Sequence, residues 1–241
     1  MILARYAGEL SRAIEVIVRD EADAIARAAA LIAGQLRRDG LIYVYGPGAH
    51  SAIAVQDVFY RAGCPTNIAP VLDPVNKALA STSAERVDGH GATVVAGSGV
   101  GAGDPFIVIN AFGVNAAAIG AARSARERGA RVIALSSRAA SASVPPDHPA
   151  RAEAAVDLST LAEVHIDTHV PPADAVLDLG YGVQVGGVST ALNSFVLQAI
   201  LASAVEELGE RARVWRSSYT VGGDAHNAEQ AQRLRERVPQ L

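Results

Sequence analysis

The chain has 241 residues, 50% of them hydrophobic and 19% charged, with a formal net charge of -4. That balance supports a folded core and excludes an extended disordered chain. With no basic block, it also excludes a nucleic-acid binder that works by neutralising phosphates.

Cys64 is the sole cysteine, so no intrachain disulfide can form and the cytoplasm is the expected compartment. The opening MILARYAGELSRA lacks the basic, apolar and cleavage regions of a secretory signal. One domain is expected over residues 1–241. It divides into an N-terminal helical segment (1–40), a body of sheet and helices (41–208) and a polar tail (209–241).

Apolar residues at three- and four-residue steps, from Ile14 to Ile32, predict helix over 7–38, with a break near Arg19–Asp23. Leu41 to Tyr45 reads as a first strand, residues 50–62 as a helix, and 66–72 as a weaker strand interrupted by Pro70. A short helix ending at Gly89 is expected within 76–91. Phe106–Ile109 is a third strand, 115–128 a helix stopped by Gly129, and Val132–Leu135 a fourth strand. Residues 138–153 read as loop, and both Val164–Ile166 and Ala175–Leu179 as possible strands.

A long helix is expected from Ser189 or Thr190 to Leu208, and a terminal one from about Asn227. Its apolar stretch, 191–205, carries Asn193, Ser194, Gln198 and Ser203 and falls short of the ~18–20 residues of a membrane span. It reads as a buried helix, and no membrane partner is expected. Strands alternating with helices imply an α/β fold, a doubly wound parallel sheet whose ligands bind beyond the carboxyl ends of the strands.

Three loops lie at such ends. In the first, Gly46 and Gly48 let the backbone turn closely, and His50 and Ser51 add donors at a helix N-terminus that suits an anion. As a dinucleotide fingerprint it matches poorly, because the third glycine falls at Ser51. In the second, Gly113 permits a tight turn and Asn115 can cap the helix, with or without a ligand role. In the third, Ser136 and Ser137 can hold an anion or cap local backbone.

The order of several motifs carries a resemblance. They are Gly46-Pro-Gly-Ala-His-Ser51, Val58-Phe-Tyr-Arg-Ala-Gly63, Glu85-Arg86, Gly89-His-Gly91, Gly113-Val-Asn115, ARVIALSS, Ser143-Val-Pro145, Val185–Thr190 and Gly222-Gly-Asp-Ala-His-Asn227. Together they resemble the sugar isomerase (SIS) domain, and more narrowly the UPF0309 proteins within that group. The resemblance covers nearly the whole chain. It implies a five-stranded parallel sheet in three layers, phosphosugar binding without a cofactor, and a homodimer or homotetramer. It also implies kinship with phosphoheptose isomerase. Ser189 and Thr190 join Ser136 and Ser137 as implied anion ligands. Two positions depart from the pattern: Pro47 and Phe112 stand where the group usually has serine.

The resemblance further implies an aldose–ketose isomerisation, which needs a base at the substrate carbon and a group to move protons at the oxygens. Asp57 and Glu85 are the candidate bases, and His50 and His226 the candidate shuttles. Helix 189–208 lacks the histidine that phosphoheptose isomerase uses there. Two other readings stand beside the enzyme: a non-catalytic sugar-phosphate sensor, and a binder of nucleotides or non-phosphorylated carbohydrate derivatives. His165 and His169 have zinc-like helical spacing, but their surroundings favour extended chain, where four residues span ~13 Å, so no metal is expected. Cys64 reads as a packed thiol, and Trp215 as a core residue rather than a sugar platform.

Overall fold

The computed structural model describes residues 1–73 and 83–241. Two helices, α1 (Ile2–Asp20) and α2 (Ala22–Arg37), meet at Glu21, inside the expected break. Then follow β1 (Ile42–Tyr45), α3 (Ala49–Val58) and β2 (Ile68–Val71). After a 3-10 turn (Ala84–Arg86) come α4 (His90–Ala96), β3 (Pro105–Ile109), α5 (Ala116–Glu127) and β4 (Arg131–Ser136). The chain continues through α6 (Arg138–Ser143), α7 (Leu158–Leu161), β5 (Val164–Asp167), β6 (Ala175–Asp178) and β7 (Gln184–Gly187). It closes with α8 (Ser189–Leu208) and α9 (Gly223–Leu234).

β1 to β5 form one parallel sheet in the order β2-β1-β3-β4-β5. Each strand is short and buried on both faces, so it reads as a continuous apolar run rather than an alternating one. The alternation is present nonetheless, as a division between two cores. Ile42, Val44, Ile107, Ile109, Ile133 and Leu135 point toward α2, α3 and α8. Tyr43, Tyr45, Phe106, Val108, Val132 and Ala134 point toward α4 and α5.

From β1 the chain crosses one way to β2, then returns past β1 to β3. This reversal leaves a crevice between the loops that follow β1 and β3. α8 is long and apolar enough to cross a bilayer by length and composition alone. Here Leu192, Val196, Leu197, Ile200 and Leu201 bury one side of it within the first core.

Several sequence expectations change. The part of the 76–91 segment before Ser83 lies outside the described residues. In the described part, Gly89 stands at the start of α4 instead of ending a helix. α4 and α6 lie in segments read as having no helix. The Ala175–Asp178 strand stays out of the main sheet and pairs antiparallel with β7 as a hairpin. α9 begins at Gly223, four residues before the expected start at Asn227.

α4 rests directly on α5, whose facing residues Ala117, Ala118, Ala121, Ala122 and Ala125 are fully buried. Gly91 makes that approach possible, because a Cβ there would fall on the backbone carbonyl of Ala117. Gly91→Ala therefore forces two helix backbones apart and outweighs the small gain in helix propensity. Urea unfolding is expected to show a loss of roughly 1–3 kcal/mol; unchanged stability would show that the two helices separate freely.

Candidate functional site

The site begins with Asn115, the N-cap of α5. Its Oδ1 accepts the Ala118 N–H at 2.8 Å, which satisfies one of the unpaired donors of the helix start. That bond fixes which side of the amide carries the N–H group. Nδ2 then donates to Glu85 Oε2 at 2.7 Å. One side chain thus ties the loop after β3 to the turn that contains Glu85.

Gly48 completes the arrangement from the first loop. Its φ of 85° suits glycine, and a Cβ there would collide with the Glu85 carboxylate. Glu85 therefore lies against bare backbone at the tip of β1 while bonded to the tip of β3. Burial raises its pKa above the ordinary carboxylate value, and the nearby charge of Asp73 adds to this. Arg86 and His50 oppose the shift. A carboxyl group held this way is poised to take up a proton, as a general base must.

Beside it opens a cleft of about 470 Å³. Glu85, Arg86, Asn110, Asn115, Ser143 and His148 supply its polar lining. Phe112, Val114, Val144, Pro145 and Pro172 supply an apolar wall. Phe112 forms part of that wall and leaves the cleft open. His148 Nδ1 accepts the Ala150 N–H at 3.1 Å, so the ring's N–H sits on Nε2.

The structure places the other expected residues differently. Asp57 accepts from Gln198 Nε2 at 3.0 Å and faces Arg61 at 3.3 Å, away from the cleft lining. The candidate base Asp57 is thus engaged by side chains of the protein itself. His226 Nε2 donates to the Val214 carbonyl at 2.9 Å and holds the segment before α9. His50 is exposed at the start of α3, near enough to act electrostatically on Glu85.

Gly46 packs against the Ser51 carbonyl, and Ser51 is buried beneath the first loop. Gly113 donates its N–H to Asn110 Oδ1 at 2.8 Å and lies against Ser136.

The hydroxyl groups expected at an anion mostly have protein partners. Ser137 donates to the Val170 carbonyl at 2.7 Å and caps α6 through the Ala140 N–H at 3.1 Å. Ser189 donates to Asp174 Oδ2 at 2.9 Å, and Asp174 Oδ1 also accepts the Val188 and Ser189 N–H groups. A carboxylate of the chain itself thus occupies the α8 N-terminus. Thr190 is half-buried in the first turn of α8. Ser136 pairs with His165 Nε2 at 2.9 Å.

Cys64 is buried, its thiol pushed up to about 11, chiefly by burial. Trp215 is buried and stacked on Tyr60 with ring centroids 4.2 Å apart, as a core residue. Sequence reasoning missed Asn110, His148 and Ser143 as cleft residues, although the Ser143-Val-Pro motif pointed to that stretch.

Burial, aided by the positive charge of Arg138, pushes the His165 pKa down to about 4, below its ordinary 6.5. The folded protein thus prefers the neutral ring. The stability this confers is complete above about pH 6.5 and is lost as pH falls toward 4. His165→Gln, which cannot titrate, is expected to flatten the fall in Tm over that window. An equally steep fall in the variant would show that other groups drive acid unfolding.

Comparison with known proteins places the chain among relatives. A model of the SIS domain matches residues 5–137. A UPF0309 protein of Brucella anthropi is 35% identical over 247 residues, covering 100% of this chain and 99% of its own length. One from Brucella canis is 37% identical over 222 residues, covering 89% of this chain and 88% of its own. Among solved structures, phosphoheptose isomerase from Neisseria gonorrhoeae superposes with a TM-score of 0.57 at 20% identity, over 84% of this chain and 96% of that one. The phosphoheptose isomerase of Francisella tularensis gives 0.51 at 14% identity, over 85% and 96%. These superpositions show a shared fold.

Proposed function

This chain belongs to the SIS-domain family and, within it, to the UPF0309 proteins, and from that premise we propose that it interconverts an aldose phosphate and a ketose phosphate. Binding of a phosphosugar is the coarser part of this reading, and the family membership supports it. The finer part, catalysis, rests on one observation: Glu85 is a half-buried carboxylate with a raised pKa, fixed by Asn115 beside an open cleft.

Glu85 takes the proton from the carbon next to the sugar's carbonyl, and an enediol forms. Returning that proton to the neighbouring carbon completes the isomerisation, so no net proton is consumed. The Asn115 amide keeps the carboxylate oriented through both transfers. Arg86 supplies positive charge at the cleft and has no ion-pair partner among the described residues. His50 stands at the edge of the same region, in reach of Glu85 by charge, and serves as proton shuttle at the sugar oxygens.

A second reading is a binding protein without turnover. It is favoured by the engagement of Asp57 with Gln198 and Arg61, which leaves Glu85 as the sole carboxylate lining the cleft among the described residues.

Exchange of substrate C–H for deuterium in D₂O, followed by proton NMR across hexose and heptose phosphates, separates the two readings. Exchange is expected for the native protein, falling by roughly 10²–10⁴ in Glu85→Gln. The glutamine carbonyl still accepts from Asn115, and removing a buried charge that burial disfavours should leave Tm equal or higher at neutral pH. Phosphosugar binding without exchange would refute the enzyme and favour the sensor.

A further inference from the structure

The cleft is an unusual lining for a ligand made only of hydroxyl groups. Phe112, Val114, Val144 and Pro145 contribute apolar surface to its lining. A sugar hydroxyl pressed against that wall would lose its water without gaining a partner, which is unfavourable. The wall calls for a ligand with a small apolar group.

Asn110 shows what is attached to that group. Its Oδ1 accepts the Gly113 N–H at 2.8 Å, which settles the direction of the amide. Its Nδ2 carries two N–H donors and makes no hydrogen bond among the described residues, and the side chain lines the cleft. Asn110 and Phe112 sit two residues apart on one tight turn. A donor with no acceptor thus lies beside an aromatic wall.

Building on the phosphosugar reading above, we propose that the site is selective for phosphosugars bearing an acylamino group. The acyl carbonyl accepts from Asn110 Nδ2, and the acyl methyl packs on Phe112. The same turn supplies both contacts, so they act on one substituent. Arg86 and His148 Nε2–H, which also line the cleft, are left to meet the phosphate.

Calorimetric titration with N-acetylglucosamine 6-phosphate and glucose 6-phosphate tests the proposal, using the native protein, Phe112→Ser and Asn110→Asp. The aspartate still accepts the Gly113 N–H, so the turn survives while the donor is lost. The quantity read is the ratio of the two affinities, in which any weakening common to both ligands cancels.

The native protein is expected to prefer the acetamido sugar by about tenfold or more, since a methyl-sized group in an apolar pocket discriminates on that scale. Each substitution should cut the preference to within about threefold. Equal affinities in the native protein would overturn the proposal, as would a preference that survives both substitutions. Either result leaves the phosphosugar reading standing. Failure of both sugars to bind the native protein would overturn that reading too.

Discussion

The site depends on how Asn115 divides its side chain. The oxygen ends a helix and the nitrogen holds a carboxylate. Neither bond is unusual alone, but together they make the position of Glu85 a consequence of where α5 begins. α5 is in turn fixed by alanines packed against β3, β4 and α4. The carboxylate is therefore referenced to the rigid sheet although it sits in a short 3-10 turn. Burial then raises its proton affinity, which the chemistry of a general base requires.

Topology explains why Glu85 finds room here. Connections leaving β1 and β3 diverge to opposite sides of the sheet order, and the loops at those strand tips part. Glycine at position 48 leaves the space that Glu85 occupies. Away from this crevice, polar groups at strand tips close on one another. Ser137 reaches the Val170 carbonyl, Ser136 pairs with His165, and Asp174 closes the start of α8. The cleft lies over the loop after β3, between the turn that carries Glu85 and Arg86 and the segment from the end of α6 to Ala150, and its apolar wall comes from that loop, that segment and Pro172.

Much of the architecture was legible in the chain. β1, β3 and β4 are apolar runs bounded by glycine or polar residues, and a strand buried on both faces has no other signature. α4 was not legible, because His90-Gly-Ala-Thr lacks a helical apolar stripe and the helix is held by α5. α6 is six residues of alanine, serine and arginine, stabilised by the Ser137 cap more than by pattern. β7 contains two glycines and depends on β6 for its existence.

Of the site, Asn115 was visible as a residue type in the loop after a strand, and Glu85 through the Glu85-Arg86 motif. The direction of a serine hydroxyl was not, because it is decided by partners tens of residues away, such as Val170 for Ser137. Asp57 shows the same limit, since its engagement by Gln198 joins residues 141 positions apart.

The account centres on a carboxyl group whose proton affinity is raised by burial at the cleft. A carbon-13 NMR titration of the Glu85 side-chain carboxyl in the intact protein measures that directly. The account predicts a midpoint above 4.5, the ordinary value for this group. A midpoint at or below it would mean that Glu85 is a solvated or ion-paired residue, and would contradict its role as the base.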